Sequence, residues 1–313
     1  MPKTKAIIIS GPTASGKSRL AIELALEFRR RGRAAEIISA DSAQVYRFMD
    51  IGTDKLNLGE RQGIPHHLID VVTPDEHFDA AIFRRSALEQ IERISREKGA
   101  AILVGGTGFW IRALLFGLFA GPGRNDEIRA ELKKLSREKG PAYLHELLNE
   151  LDPESARRIH PNDLNRLVRC LEIQRLTGKS RTEHFKSQAQ EQSLNALHLA
   201  LNLDRALLHE RINQRVDQMM GKGFREEVQN LRQMGYGAEL DSQKIIGYRH
   251  LHQHLDGEMN LDQAIHEIKK ATRHYARRQL VWLRGQPEIS WFDVLKDNTN
   301  MFAKATKFME ESK

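Results

Sequence analysis

Cysteine is nearly absent from this chain of 313 residues, since Cys170 is its single representative. A lone cysteine excludes an intrachain disulfide and a cysteine-based zinc site. No apolar run approaches the roughly 20 residues that a membrane-spanning helix requires. The apolar stretch Ala6–Ile9 is also too short for the hydrophobic region of a secretory signal peptide. We therefore expect a cytoplasmic protein with no membrane partner.

Acidic residues are in deficit: 42 Asp and Glu stand against 49 Lys and Arg, which gives a net charge of +7. This moderate excess permits a polyanionic partner without requiring one. The hydrophobic content of 40% is enough for a real core, in one large domain or two modest ones. We expect a monomer.

One motif organises the N-terminal part of the chain, the phosphate-binding loop G-x-x-x-x-G-K-[ST]. It consists of Gly11, Pro12, Thr13, Ala14, Ser15, Gly16, Lys17 and Ser18. A short apolar run, Ala6–Ser10, predicts a buried strand before it, and the periodic segment 19–30 predicts a helix after it. The loop N–H groups and the helix N-terminus attract an anion, Lys17 adds a full charge, and the Ser18 hydroxyl is placed to hold Mg²⁺. The motif thus predicts a phosphate or diphosphate site.

Two further predicted strands end at polar residues that we expect beside this loop. The second strand, 35–40, ends at Asp41, because ligands of open parallel sheets lie beyond the carboxyl ends of the strands. Three roles are open for Asp41 at this position: a cap of the next segment, a metal contact or a general base. The third strand, 100–104, is followed by Gly105–Gly108, which allows close backbone approach to a ligand. No acidic residue closes that strand, and the missing Walker-B pattern argues against a motor or switch ATPase.

Beyond Gly117 the pattern becomes helical and charged, and no strand is predicted before residue 197. We therefore predict an α/β fold, a P-loop NTPase-like parallel sheet flanked by helices, with an all-helical insertion domain. Residues 1–120 and 196–313 form the P-loop core with C-terminal helices, and 121–195 form the insertion. Cys170 lies on an amphipathic helix and is predicted to pack. The pair His66–His67 is a poor metal pair, because neighbours on an extended chain point apart, and the tail after Lys296 is predicted to fray.

The last large predicted helix, 260–284, carries a basic stripe. No acidic residue occurs from Ile268 to Pro287, while Lys270, Arg273, Arg277 and Arg284 recur at helical spacing. A solvated face usually mixes charges, so the stripe favours binding of a nucleic-acid backbone. An ordinary solvated face remains the alternative.

These motifs together resemble the tRNA dimethylallyltransferase (tRNA isopentenyltransferase) family over nearly the whole chain. The resemblance rests on the phosphate loop and on 41–53, 65–70, 104–108, 162–172, 246–248 and 272–284. It implies transfer of the dimethylallyl group of dimethylallyl diphosphate to the exocyclic N6 of the adenosine 3′ of the anticodon, in tRNAs that read codons beginning with U. The zinc finger of longer eukaryotic members is absent, which favours the bacterial type.

The resemblance also implies roles for individual residues. Asp41 acts as general base on N6, Thr107 lies near the leaving group, and Lys17 with the phosphate loop holds the diphosphate together with Mg²⁺ at Ser18. The implied contacts to the anticodon stem-loop of tRNA are Asp41, Ser42, Ala43, Gln44, Thr107, Arg129, Asn165, Arg166, Leu167, Val168, Arg169, Gly247, Tyr248, Arg249, Arg273, Arg277, Arg278 and Arg284. Two rival activities stay open, a prenyltransferase for free adenine nucleotides and a P-loop kinase for small molecules.

Overall fold

A computed structural model describes residues 4–118, 121–187, 194–286 and 288–311. Its strands form one six-stranded sheet in the order β3-β2-β4-β1-β5-β6, and every neighbouring pair is parallel. The bounds are β1 Lys5–Ser10, β2 Ala35–Ser39, β3 His66–His67, β4 Ala100–Gly105, β5 Asn195–Asn202 and β6 Ile289–Asp293. The predicted parallel sheet is therefore confirmed. β6, which the sequence pattern did not reveal, extends it beyond β5.

The other regular elements of the described residues are α-helices and one 3₁₀ helix, Asp241–Lys244. The bounds of the α-helices are α1 Lys17–Arg30, α2 Ala80–Arg96, α3 Gly108–Phe116, α4 Asp126–Lys139, α5 Pro141–Leu151, α6 Pro153–Arg158, α7 Leu164–Thr177, α8 Arg181–Ser187, α9 Arg205–Gly221, α10 Phe224–Gln233, α11 Tyr248–Leu255, α12 Leu261–Arg284 and α13 Asn298–Glu310. Local capping explains where several begin. Asp79, Asp204 and Asn260 each accept hydrogen bonds from N–H groups in the first turn of α2, α9 and α12. No described helix is long and apolar enough to cross a membrane.

The prediction that the tail frays after Lys296 is wrong. Met301, Ala305 and Met309 of α13 are buried in the same cluster as Ile7 and Leu24 of β1 and α1. These three apolar residues recur every four positions, which places them on one helix face. The charged residues around them obscured that stripe.

The chain folds into two compact units, one of Met1–Phe116 with Gln192–Lys313 and one of Gly117–Glu191. The second unit has its own apolar core, which includes Leu132, Leu148 and Leu171. Cys170 belongs to this core and is 2% exposed, so the prediction that it packs is confirmed.

The two histidines of β3 make separate structural hydrogen bonds, as predicted. His66 Nδ1 donates to the carbonyl of Ile64 at 2.8 Å, and His67 Nε2 lies 2.6 Å from a carboxylate oxygen of Glu36. Glu36 sits on the neighbouring strand β2 and also binds Arg93. The pair therefore holds the sheet edge together.

Candidate active site

The phosphate loop lies at the carboxyl end of β1, where β2 and β4 also end. Gly16 has φ 89° and caps α1, and Ala14 adopts the left-handed region with φ 63°. The Ser15 N–H donates to the carbonyl of Pro12 at 3.2 Å, which closes the curl of the loop. A side chain at Gly11 would press against the Ser15 hydroxyl at 2.9 Å, which explains the glycine there. The loop thus turns its backbone around one point, as an anion site requires.

Lys17 is the cation at that point. Its ammonium is 3.4 Å from the carbonyl of Pro12. Burial lowers the pKa of Lys17 from 10.5 to about 8, with Asp41 opposing the change and Arg215 adding to it. A desolvated ammonium with so weak a protein partner is prepared to bind an incoming anion.

Arg215 of α9 is a second cation at the loop, and sequence reasoning missed it. Its guanidinium donates to the Thr13 hydroxyl at 2.8 Å and lies 3.3 Å from a carboxylate oxygen of Asp54. No local motif marks this arginine, because it follows the loop by about 200 positions and reaches it only through the packing of α9.

Asp41 and Thr107 stand together at the ends of β2 and β4. One carboxylate oxygen of Asp41 accepts the Ala43 N–H at 2.9 Å, so the cap interpretation holds for that oxygen. The Thr107 hydroxyl accepts the Ser42 N–H at 3.0 Å and donates to the Ser42 hydroxyl at 3.3 Å. The Thr107 N–H donates to the carbonyl of Ala40 at 3.2 Å. These bonds fix the two strand ends against each other.

A pocket joins Asp41 to the phosphate loop. It is lined by Thr13, Lys17, Ser18, Asp41, Gln44, Thr53, Asp54, Val104, Gly105 and Arg215. The structure therefore brings together the predicted base, the predicted cation and the predicted metal residue. A pocket that combines two cations with the carboxylate of Asp41 suits a reaction in which an anionic group leaves and a proton is removed.

Helix α12 forms a further wall of this site, which sequence reasoning also missed. The Tyr275 hydroxyl lies within hydrogen-bond reach of Thr107 and Gln279. Burial and the charge of Asp41 raise the pKa of Tyr275 to about 12, so it stays a neutral phenol. Gln279 contacts both the phosphate loop and the loop after β4. The basic stripe drew attention to the charged face of α12 and away from these two residues.

The residues at Ser18 suit Mg²⁺. A hydroxyl and the carboxylates of Asp41 and Asp54 line the same pocket, and all are oxygen donors. Within the described ranges, no group of three or more His, Cys, Asp or Glu could hold a metal alone. A magnesium ion here would take its other ligands from substrate phosphate and water.

The segment after Asp41 is held in place by side chains. Gln44 accepts from the Ser39 hydroxyl at 3.0 Å and donates to the carbonyl of Thr53 at 3.2 Å. Downstream, the Glu227 carboxylate accepts three backbone N–H groups, of Asp50, Ile51 and Gly52, at 2.9, 2.6 and 3.1 Å.

The Tyr248 hydroxyl donates to the same Glu227 carboxylate at 2.7 Å, and Tyr248 is 0% exposed. Gly247 is also buried, and a side chain there would meet the Phe224 ring at 2.7 Å. Gly247 and Tyr248 both pack beneath the segment 50–52, and their contact with tRNA stays a prediction. Arg249 is exposed.

In the helical unit, the predicted tRNA residues separate into buried and exposed ones. Leu167 and Val168 are at most 1% exposed and pack in the apolar core, and their contact with tRNA stays a prediction. Asn165 and Arg166 are exposed. They remain available to a partner.

Arg129 and Arg169 both bind Glu172, which is fully buried. The Arg129 Nε atom is 2.9 Å from one carboxylate oxygen, and the Arg169 guanidinium is 2.7 Å from the other. Burial alone would raise the pKa of Glu172, but the bonds from Arg129, the Asn125 N–H and Arg169 lower it below its ordinary value. These arginines stabilise the unit while keeping part of each guanidinium at the surface.

On α12, the basic stripe is partly neutralised. Lys269 pairs with Asp217 at 2.7 Å and Lys270 with Glu267 at 3.2 Å, and Arg273 donates to Asn213 at 2.7 Å. Arg277, Arg278 and Arg284 are exposed. Arg278 lies over the Tyr275 ring at 5.6 Å. The part of the stripe open to a polyanion is thus its C-terminal half.

Comparison with known proteins places these features in context. The sequence profile of a family described as IPP transferase matches residues 44–286. A tRNA dimethylallyltransferase of Geobacter metallireducens is 46% identical over 292 residues, which cover 93% of this chain and 93% of that protein. One of Carboxydothermus hydrogenoformans is 43% identical over 296 residues, covering 94% and 93%.

Solved structures agree. The full-length tRNA isopentenylpyrophosphate transferase of Bacillus halodurans aligns with a TM-score of 0.73 at 36% identity, over 98% of this chain and 97% of that chain. A eukaryotic dimethylallyltransferase described as acting on tRNA aligns with a TM-score of 0.78 at 30% identity, over 96% of this chain and 77% of that chain.

Proposed function

Because this chain belongs to the IPP transferase family and transfers a dimethylallyl group to tRNA, we propose that its donor is dimethylallyl diphosphate. The acceptor is the exocyclic N6 of the adenosine 3′-adjacent to the anticodon, in tRNAs that read codons beginning with U. Family membership bears out the resemblance of the sequence motifs. The proposal for the chemistry rests on one observation: Lys17 and Arg215 share a pocket with Asp41.

The diphosphate occupies the phosphate loop in this proposal. Lys17, Arg215 and the loop N–H groups stabilise the negative charge that develops as the bond from the allylic carbon to oxygen breaks. No phosphoryl group moves, so the loop acts as a holder for the leaving group.

The adenine amine approaches from the side of Asp41. As the new carbon–nitrogen bond forms, N6 loses a proton to the free oxygen of the Asp41 carboxylate, and diphosphate leaves. Thr107, held by Ser42, lies beside the same position and orients the amine. A base stacked in the anticodon loop must be extruded to reach this pocket.

Mg²⁺ fits as the metal of this site, held by the Ser18 hydroxyl with Asp41 or Asp54. When bound, it would add positive charge at the diphosphate. Asp41 then has two open roles, and loss of activity alone does not separate them.

Exposed side chains, most of them cationic, bind the tRNA backbone in this proposal. Support comes from Arg277, Arg278 and Arg284 on α12 and from Asn165 and Arg166 of the helical unit, which are all exposed. Arg249 is exposed as well, whereas Arg129, Arg169 and Arg273 are half-buried, and the proposal includes all four. We further propose that the protein acts as a monomer in the cytoplasm, where its tRNA substrate is, and sedimentation with and without tRNA tests the monomer.

Nucleoside mass spectrometry tests the reaction. Unmodified tRNA is incubated with the protein, dimethylallyl diphosphate and Mg²⁺, then digested. The expected product is N6-(dimethylallyl)adenosine at the position 3′ of the anticodon, absent when that adenosine is replaced by guanosine. Prenylation of AMP in place of tRNA would favour the free-nucleotide rival, and release of ADP from ATP would favour the kinase.

The role of Asp41 is tested by Asp41→Asn, which keeps the shape and the bond from Ala43 but removes the base. We expect transfer to fall by about 10²- to 10⁴-fold, with tRNA affinity little changed. The exposed carboxylate of Asp262 offers a matched control, since Asp262→Asn should keep full activity. Turnover of Asp41→Asn close to wild type would remove this residue from the mechanism. Binding of Mg²⁺ with diphosphate by calorimetry separates the base from the metal role, because only the latter predicts weaker metal binding.

A further inference from the structure

Gln279 connects two loops of the active site through one side-chain amide. It lies on α12, is 7% exposed, accepts the Thr13 N–H through Oε1 at 2.8 Å and donates from Nε2 to the carbonyl of Gly106 at 3.0 Å. Only one orientation of the amide satisfies both bonds, because the first partner is a donor and the second an acceptor. The bridge is therefore specific to an amide of this length.

The two loops carry different halves of the reaction in the proposed function, on which this inference rests. Thr13 belongs to the phosphate loop that holds the diphosphate. Gly106 directly precedes Thr107, whose hydroxyl is bonded to the segment of Asp41. The distance between leaving group and acceptor amine thus depends on how these loops are spaced.

The contact between Gln279 and Gly106 is tight. A Cβ atom at Gly106 would overlap the amide nitrogen of Gln279. Tyr275, one turn earlier on α12, lies within hydrogen-bond reach of Gln279 and of Thr107. The side chains on this face of α12 therefore pack closely against the phosphate loop and the loop of Thr107.

We propose that Gln279 is a positioning residue for the transfer reaction. It fixes the spacing between the phosphate loop and the loop of Thr107, so that the allylic carbon and N6 meet at reacting distance. Reacting atoms must approach to about 3–3.5 Å, and a misplacement of about 1 Å can cost 10²-fold in rate. Gln279 itself touches neither substrate in this role.

Gln279→Met tests the proposal, because methionine fills a similar volume and removes both hydrogen bonds. We expect kcat for transfer to fall by about 10- to 100-fold. The dissociation constant for dimethylallyl diphosphate, measured by calorimetry, should change little, because Lys17 and Arg215 remain. A matched control is Gln286→Met, since the Gln286 amide bonds to the carbonyl of Trp282 at 3.2 Å, at the end of the same helix and away from the two loops.

Gly106→Ala approaches the same contact from the other side and serves if Gln279→Met does not fold. It should lower kcat similarly, and the double variant should be no slower than the slower single variant, because both changes break one bridge. Wild-type kcat in folded Gln279→Met, or a fully additive double variant, would overturn the proposal. Equal losses of affinity and kcat would reassign Gln279 to diphosphate binding and overturn it as well. Absence of transfer by the wild-type protein would instead count against the proposed function.

Discussion

Replacing Lys17 by methionine should stabilise the ligand-free protein while removing its grip on diphosphate. The ammonium of Lys17 is desolvated, and it donates a long hydrogen bond of 3.4 Å to the carbonyl of Pro12. Its pKa is about 8 in the folded protein against an ordinary value of 10.5. The folded state therefore holds this proton less tightly than the unfolded chain does.

This difference in pKa determines how Lys17 changes the free energy of unfolding with pH. A lysine with a lowered pKa reduces stability at every pH below 8, and this penalty disappears as pH rises above the unfolded value of 10.5. The gap between the two values corresponds to about 3 kcal/mol, and partial solvent exposure of the side chain reduces it to roughly 1–3 kcal/mol. Lys17→Met should therefore raise the melting temperature at pH 7 by several degrees.

Diphosphate affinity supplies the second readout. Binding an anion favours the charged lysine, so affinity should fall by about tenfold between pH 7 and pH 9 as free Lys17 loses its proton. Calorimetry with dimethylallyl diphosphate measures this in the wild type. Lys17→Met should bind far more weakly, and with little dependence on pH over this range.

Lys55 provides the matched control. Its side chain is only 4% exposed, but it pairs with Asp50 at 2.8 Å and also with Asp70. Lys55→Met should therefore lower the melting temperature, because it leaves these carboxylates without their cation. The reasoning is refuted if Lys17→Met melts as low as Lys55→Met, or if it keeps wild-type affinity for the diphosphate.

Three further changes probe the surrounding structure. Arg277→Ala should weaken the binding of all accepted tRNAs alike and reduce the slope of log affinity against log salt concentration by at most about one unit. If the variant binds tRNA as tightly as the wild type at two salt concentrations, the stripe is an ordinary solvated face. Glu172→Gln should destabilise the helical unit by about 3–5 kcal/mol, because it removes the buried negative charge that Arg129 and Arg169 share, and calorimetric melting no lower than that of the exposed-site variant Glu146→Gln would contradict this. Glu227→Ala should lower stability by about 1–3 kcal/mol by orphaning three backbone N–H groups, an expectation that fails if its denaturation midpoint equals that of Glu226→Ala.

Local pattern in the sequence was sufficient for the central strands of the sheet, several helix starts and the chemistry of the phosphate loop. The strands before Gly11 and Asp41 are apolar runs, and parallel strands bring their carboxyl ends to one edge. Asp204 and Asn260 are typical N-cap residues and indicate where the helices that they cap begin. Each of these signals lies within a few residues of the element it specifies, so it can be recognised from the sequence alone.

Tertiary structure alone decided which distant side chains complete the site and which of the predicted tRNA-binding residues are buried. Arg215, Tyr275 and Gln279 reach the loops across 160 or more positions, and no spacing rule connects them to Thr13 or Thr107. Motif membership likewise did not reveal that Tyr248 is 0% exposed beneath the segment 50–52. Local propensity depends on neighbours along the chain, whereas burial and long-range hydrogen bonds depend on how whole helices pack, and packing is a property of the complete fold.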